Sequence, residues 1–397
     1  MKKNILFVIP SLHAGGGEKS LINLLNQIDY DLYNVDLFLF NKSGLFINSL
    51  PKPVKILELQ DTYKIFTQDL DISIKTFISN FKFNLVYYRI MFTIKNRFIK
   101  DKSKAEQYTW KYISKSIAAL EKEYDVSIGY LEKSSIYFIV DKVKSKKKIG
   151  WIHTNYENSG MDENFDRPYF KKLNNLVTVS KECANSLKVK FPEIKQKISI
   201  IYNIVSPKLI NELSNRDINN DFIIEDGYIN IITVARLSYE KGIDLAINAC
   251  KLLKSEGYKV RWYVLGDGSE KSKLEELILS NNLEDNFRLL GIKENPYPYI
   301  KKADIYVQPS RYEGKSIAID EAKILHKPVV VTNYETAKDQ IKHNENGVIV
   351  EMNDESLYQG IVSVINDVNL QNKLIYNLSN ENLGTESEIY KLYDIFY

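Results

Sequence analysis

Short apolar runs alternate with longer stretches of helical periodicity, twice over, and this rhythm limits what the chain can become. The runs are Asn4–Ile9, Val35–Phe40, Val54–Leu59, Asp125–Tyr130, Lys148–His153, Leu176–Val179 and Lys197–Ile201 in the first series. Ile229–Val234, Lys259–Leu265, Asn286–Leu290, Asp304–Val307, Pro328–Thr332 and Gly347–Val350 form the second. Several are apolar at every position rather than at alternate ones, as expected of parallel strands covered by helices on both faces. Helical patterns such as Ile243–Glu256, Ser269–Asn281 and Ile317–His326 fill the gaps. The class is α/β, with two doubly wound parallel sheets.

The length of 397 residues suits two domains. The weakly apolar, polar-rich stretch Ser206–Tyr228 reads as the linker between domains 1–205 and 206–380, and residues 381–397 read as a closing helix that returns to the first domain. Lys plus Arg number 54 and Asp plus Glu 51, so no global charge points to nucleic acid. Cys183 and Cys250 sit in helix-like apolar settings without zinc spacing and read as buried free thiols of a reducing compartment. The run Ile5–Pro10 is too short for a secretory leader and reads as a first strand. No stretch approaches the roughly 18 apolar residues of a spanning helix.

Ligands of open α/β sheets bind beyond the carboxyl ends of the strands, so residues just after strands deserve scrutiny. After the first strand comes Gly15-Gly16-Gly17-Glu18-Lys19-Ser20. It fails the P-loop pattern because Glu18 stands where glycine is required, and Gly266-Asp267-Gly268 fails the dinucleotide pattern because Lys271 follows. Strand Lys148–His153 ends on His153. Arg236 and Lys241 follow strand Ile229–Val234, and a guanidinium fork plus an ammonium suits a diphosphate. Glu313 and Glu321 flank the helix start Gly314-Lys315-Ser316-Ile317, where main-chain N–H groups favour phosphate and carboxylates can accept sugar or ribose hydroxyls. Ser316 is the expected cap of that helix. Read singly, each of these has a plain structural alternative: a flexible turn, a core histidine, a solvated basic turn, acids complementing a helix dipole. The two Asp-x-Asp triplets, at Asp29–Asp31 and Asp69–Asp71, imply no metal.

Taken in order, these segments resemble retaining glycosyltransferases of the GT-B fold, specifically glycosyltransferase family 4. The resemblance also takes in Asn203, and it is strongest from Ile229 to Val350. It implies that Arg236 and Lys241 grip the diphosphate of a nucleotide-sugar donor, UDP-linked, and that Glu313 meets hydroxyls of the transferred sugar. Glu321 would meet the ribose, and His153 the sugar and its phosphate. Gly16, Gly17 and Gly266 would border the donor, with Gly291 and Ile292 beside the base. No cofactor or metal is required, the donor being a co-substrate. Many relatives carry Gly-Phe-Gly or Gly-Phe-Pro where this chain has Gly314-Lys315-Ser316. That variant looks like a subgroup from bacterial capsule, exopolysaccharide and O-antigen assembly, and Lys315 adds a cation near the phosphates.

One more segment stands out. Lys75–Lys104 carries Lys75, Lys82, Arg89, Lys95, Arg97, Lys100, Lys102 and Lys104 against the single acid Asp101, interleaved with aromatics. A second cluster spans Lys142, Lys144, Lys146, Lys147 and Lys148. Both read as contacts to an anionic membrane on its cytoplasmic face, where a polyprenyl-diphosphate-linked acceptor would be met. The alternatives are a soluble or protein acceptor, or a GT-B scaffold that only binds a membrane or partner.

Overall fold

Strands whose side chains are apolar on both sides must be covered on both sides, and the second half of the chain shows how. Along one strand Val260, Trp262 and Val264 point into one core, while Tyr263 and Leu265 point into another on the opposite face. The structure is a computed structural model that describes every residue except Met1, Ala14, Asn219 and Asn220. The chain divides into two units, one holding residues 2–13, Gly17–Tyr202 and Glu388–Tyr397, the other residues 15–16 and Asn203–Ser387.

The first unit contains β1 (Lys3–Ile9), β2 (Tyr33–Leu39), β3 (Lys55–Ile56), β4 (Tyr124–Gly129), β5 (Ser145–Ile152), β6 (Asn175–Thr178) and β7 (Ile198–Ile200). They form one parallel sheet in the order β3-β2-β1-β4-β5-β6-β7. The second holds β8 (Ile229–Val234), β9 (Val260–Leu265), β10 (Phe287–Leu289), β11 (Ile305–Gln308), β12 (Val329–Thr332) and β13 (Val348–Val350), in the order β10-β9-β8-β11-β12-β13. Every run read as a strand overlaps one. The shortest is β3, because an edge strand has one neighbour to pair with and the chain turns into the helix Asp61–Phe66 after Leu57 and Leu59 pack on the core.

The helices that matter below are α1 (Gly16–Leu25), α2 (Leu70–Ser79), α3 (Phe83–Phe98), α4 (Ser134–Lys142), α5 (Ile243–Ser255), α6 (Ile317–Ile324) and α7 (Glu388–Phe396). Helix α7 lies against the first unit. Tyr393 and Phe396 stack on Tyr33, with ring centroids 5.1 and 5.5 Å away, and Lys3 and Lys147 donate to the carbonyls of Phe396 and Ile395. Cations are favoured at the carbonyl end of a helix, which fixes where the helix stops.

Two expectations change. The stretch Ser206–Tyr228 is packed rather than a free linker. It opens with the helix Pro207–Leu213, and Ile210 and Phe222 are buried in the second unit's core. Few apolar residues suffice there because Phe222 stacks on Tyr263 with centroids 4.3 Å apart. The second lysine cluster is engaged within the fold. Lys148 donates to the carbonyls of Ile139, Val140 and Val143 at the end of α4, Lys146 pairs with Asp125 at 2.7 Å, and Lys147 holds α7. Cys183 and Cys250 are buried free thiols, as expected.

Two glycines are dictated by close approach. A Cβ on Gly242 (φ +64°) would lie 2.0 Å from the Pro309 carbonyl oxygen, and one on Gly266 (φ +154°) only 1.9 Å from that of Ala235. Both contacts hold loops at the ends of central strands of the second sheet. Gly266→Ala is expected to lower stability by about 2–3 kcal/mol. Chemical denaturation checks this, and a midpoint equal to the parent's would show that the loop relaxes freely.

Candidate active site

In a doubly wound sheet the chain leaves a central pair of neighbouring strands in opposite directions, and the loops beyond their carboxyl ends open a crevice. In the second unit that pair is β8 and β11, paired in parallel through Ile305 with Ile231 and Tyr306 with Ile232. Arg236 and Lys241 follow β8, and Glu313 follows β11. In the first unit the pair is β1 and β4; α1 opens after β1, and Glu132 follows β4.

The second unit brings several of the residues singled out above into contact. Lys241 Nζ lies 2.6 Å from Glu313 Oε2, with the side chains 22% and 8% exposed. The other carboxylate oxygen of Glu313 accepts from Ser310 Oγ at 2.8 Å and Gln308 Nε2 at 3.2 Å, while Thr336 holds the Glu313 carbonyl at 2.9 Å. Glu313 is therefore fixed on three sides, and a ligand would meet a pre-oriented acceptor. Deeper in, Glu321 is buried on α6 and accepts from the Tyr297 hydroxyl at 3.1 Å. Burial first, and the Glu321 and Glu313 charges second, push the Tyr306 hydroxyl far above its ordinary range, so it remains a donor, here to Gln308 at 2.6 Å.

Arg236 is different. Its guanidinium is exposed and makes no hydrogen bond or ion pair among the described residues, in contrast to Arg311, which forks onto Asp244 at 2.9 and 2.6 Å. Gly266 and Gly291 adjoin it through main chain, Gly266 N donating to Gly291 O at 2.9 Å and Leu237 N to Asp267 O at 3.0 Å. Ile292 is exposed, whereas the Ile317 side chain is buried in the core rather than in the loop. Asn203 is buried at the start of the unit, its carbonyl accepting from Thr385 at 2.7 Å.

Ser316 does not cap α6 with its hydroxyl. The amide of Gln340 takes that place. Its Oε1 accepts from Ser316 N at 2.8 Å, and its Nε2 donates to Ser316 O at 2.8 Å and Asp320 Oδ1 at 2.9 Å. The carboxamide thereby pins the main chain of Ser316 and the side chain of Asp320 together at the start of α6. Lys315 Nζ, in the loop, lies 3.7 Å from Asp320 Oδ2 on the first turn of α6. Gln340, Gln308, Ser310 and Thr336 support the site but carry no sequence motif.

In the first unit His153 follows β5. The residue is partly exposed as a whole, yet its Nε2 is closed off from solvent and has no hydrogen-bond partner among the described residues. The ring packs beside Tyr130 and Trp151, with centroids 4.9 and 6.0 Å away. Desolvation pulls its pKa down to about 3, so the imidazole is neutral at physiological pH. Glu132 was not anticipated. Its Oε1 accepts from His153 N and, at 3.0 Å, from Thr154 N, and burial raises its pKa. A carboxylate three residues beyond β4 is the same kind of strand-end signal that marked His153. Gly16 and Gly17 begin α1, where Ser20 Oγ and the Tyr130 hydroxyl are 2.8 Å apart.

Residues 214–380 match the family described as Glycosyl transferases group 1. A Campylobacter jejuni N-acetylgalactosamine-N,N'-diacetylbacillosaminyl-diphospho-undecaprenol 4-alpha-N-acetylgalactosaminyltransferase is 29% identical over 204 residues, 51% of this chain and 53% of that protein. The chain spans about half the length of the curated relatives it matches. Among solved structures, S. aureus TarM in complex with fondaparinux, alpha-GlcNAc-glycerol and UDP superposes with a TM-score of 0.69 at 17% identity, covering 99% of each chain. Anabaena HepE in complex with UDP gives 0.65 at 16% identity, again covering 99% of each. The two parallel-sheet α/β domains are those of the GT-B glycosyltransferase structures.

The buried imidazole has a measurable consequence. A histidine with a depressed pKa binds fewer protons folded than unfolded, so its contribution to stability falls as pH drops below about 6.5. Glu132, with a raised pKa, acts in the opposite sense. Comparing the parent with His153→Asn at pH 7 and pH 5 isolates the histidine. The parent should lose up to about 1.4 kcal/mol per pH unit more than the variant. Equal losses would mean that the ring is hydrated.

Proposed function

We propose that the protein transfers a sugar from a nucleotide diphosphate sugar, a UDP-sugar, to a lipid-linked glycan during the assembly of a cell-surface polysaccharide, with retention at the anomeric carbon. The observation that carries this reading is the convergence of Lys241 and Glu313 at 2.6 Å beyond β8 and β11, with Arg236 exposed on the same loop. The bond that breaks joins the anomeric carbon to a phosphate oxygen, and negative charge grows on that oxygen as it leaves. Fixed cations act most strongly where charge develops, which is the part given to Arg236 and Lys241. Glu313 accepts from hydroxyls of the transferred sugar and Glu321 from the ribose. Lys315 and the N–H groups leading into α6 lie beside the phosphates, and Gly291 and Ile292 beside the base.

Retention follows a front-face route in this reading. The acceptor oxygen bonds to the anomeric carbon on the face from which the phosphate departs, and the acceptor proton passes to the departing phosphate oxygen. The neutral imidazole of His153 approaches the sugar and its phosphate without adding charge. The similar structures hold UDP, and the C. jejuni relative is named for an alpha product on a diphospho-undecaprenol-linked acceptor. An α-linked donor giving an α-linked product is retention. The family match over residues 214–380 covers the donor-side residues Arg236, Lys241, Glu313 and Glu321 together. The product would join a membrane-bound intermediate on the cytoplasmic face.

Two substitutions separate binding from transfer. Arg236→Ala removes an exposed side chain that makes no hydrogen bond or ion pair among the described residues, so the unfolding temperature should stay within error of the parent while UDP affinity drops about tenfold or more by calorimetry. Glu313→Gln keeps the bond from Ser310, so UDP affinity should change by less than about threefold while transfer falls by roughly a hundredfold. Transfer by Glu313→Gln at the parental rate would refute the assignment.

A further inference from the structure

The basic, aromatic segment resolves into a helix with two opposite apolar faces. Leu85, Arg89 and Phe92 of α3 turn inward, where Leu85 and Phe92 pack with Phe66 and Phe77. Arg89 donates to the Gln68 carbonyl at 2.9 Å and to Thr93, so its charge is spent inside the fold. The other face shows Phe83, Tyr87, Ile90, Ile94 and Phe98, all exposed, Phe83 by 61% and Phe98 by 77%. At about 100° per residue these five fall within one narrow stripe, roughly opposite the buried one and about 22 Å long. Phe81, 82% exposed, continues the stripe at the turn between α2 and α3, its ring 6.3 Å from that of Phe83. Its φ of +56° is a costly backbone state for a bulky residue.

A stripe this long and apolar is not an ordinary solvent face. Its surroundings indicate what covers it. From Ile72 to Lys100 the chain contains no Asp or Glu. Lys95 and Arg97 are exposed on either side of the stripe, Lys82 stands at its start and Lys100 beyond its end. A second copy of this chain would bring these cations face to face. A nucleic acid would need cations facing it, whereas here the centre of the stripe is aliphatic. Apolar side chains in the middle and long cations at the rim match the boundary between acyl chains and anionic headgroups.

We infer that α3 lies flat in the surface of an anionic membrane, with Phe83, Tyr87, Ile90, Ile94 and Phe98 among the acyl chains and Lys82, Lys95, Arg97 and Lys100 at the headgroups. This localises the membrane contact to one helix face and leaves out the cluster around Lys148. It gives the proposed lipid-linked acceptor a reason to be reached but does not depend on it. No helix among the described residues is long and apolar enough to cross a membrane.

The test is flotation of the full chain with vesicles of phosphatidylcholine alone, or mixed with an equal amount of phosphatidylglycerol, at low and high salt. The parent should float with the mixed vesicles and release at high salt. Ile90→Ser with Ile94→Ser should weaken flotation roughly tenfold or more. Lys95→Gln with Arg97→Gln should weaken it roughly tenfold on mixed vesicles only. Thermal unfolding and UDP binding are measured alongside. Lost flotation with intact UDP binding supports the docking face, while lost UDP binding with intact flotation counts against the donor site alone. Should the double serine variant misfold, Ile94→Trp supplies the readout: its added fluorescence should shift to the blue and be quenched by brominated acyl chains. The inference is overturned if the parent stays in solution at low salt or the serine variant floats equally well. It is also overturned if the stripe instead mediates lipid-free dimerisation in sedimentation equilibrium, or if the tryptophan emission is unmoved.

Discussion

A single ion pair joins the loops that leave the two central strands of the second sheet. Lys241 reaches Glu313 at 2.6 Å, and the rest of the site is arranged around that contact. A carboxylate exposed by only 8% needs compensation, and it receives an ammonium, a hydroxyl and a carboxamide. The carboxamide and hydroxyl come from β11 and the turn after it and the ammonium from the loop after β8, so the sheet sets their positions. Gly242 lets the loop of Lys241 pass under the Pro309 carbonyl, and Arg311 N donates to Glu240 O at 2.8 Å. The backbone thus brings charges together that would otherwise sit on separate turns.

The two halves treat charge differently. The second unit holds paired ions and an exposed guanidinium, the features wanted for a polyanion. The first presents a desolvated, neutral imidazole and a buried carboxyl used to hold main-chain amides. Another buried acid there is satisfied by tyrosines. Asp166 accepts from Tyr137 and, at 2.6 Å, from Tyr156, and burial raises its pKa. Such groups stiffen the scaffold around the strand ends rather than offering charge to a ligand.

The strands were readable because their apolar content does not depend on context; β8 was read with the bounds that it has, Ile229–Val234. Strand-end residues such as Lys241 and Glu313 could be singled out because an α/β sheet puts ligands there. Their contact could not be read, since it spans 72 positions and is set by sheet order. Gln340 was invisible for the same reason: a glutamine 24 positions from Ser316 carries no local mark of the cap that it forms. The helix α3 shows another limit. Apolar residues all around it satisfy any period, so only its packing separates the face that binds the core from the face that does not.

The two sulfhydryls offer something practical. Cys183 and Cys250 are both closed off, and burial pushes the Cys250 thiol up to about 12. A thiolate is the species that reacts with maleimides and spin labels; the raised pKa of Cys250 withholds it at neutral pH, and burial shields Cys183 from reagents. The native chain is therefore a silent background for site-directed labelling. A lone cysteine introduced on the outer surface would report its own surroundings, without first replacing the natural pair.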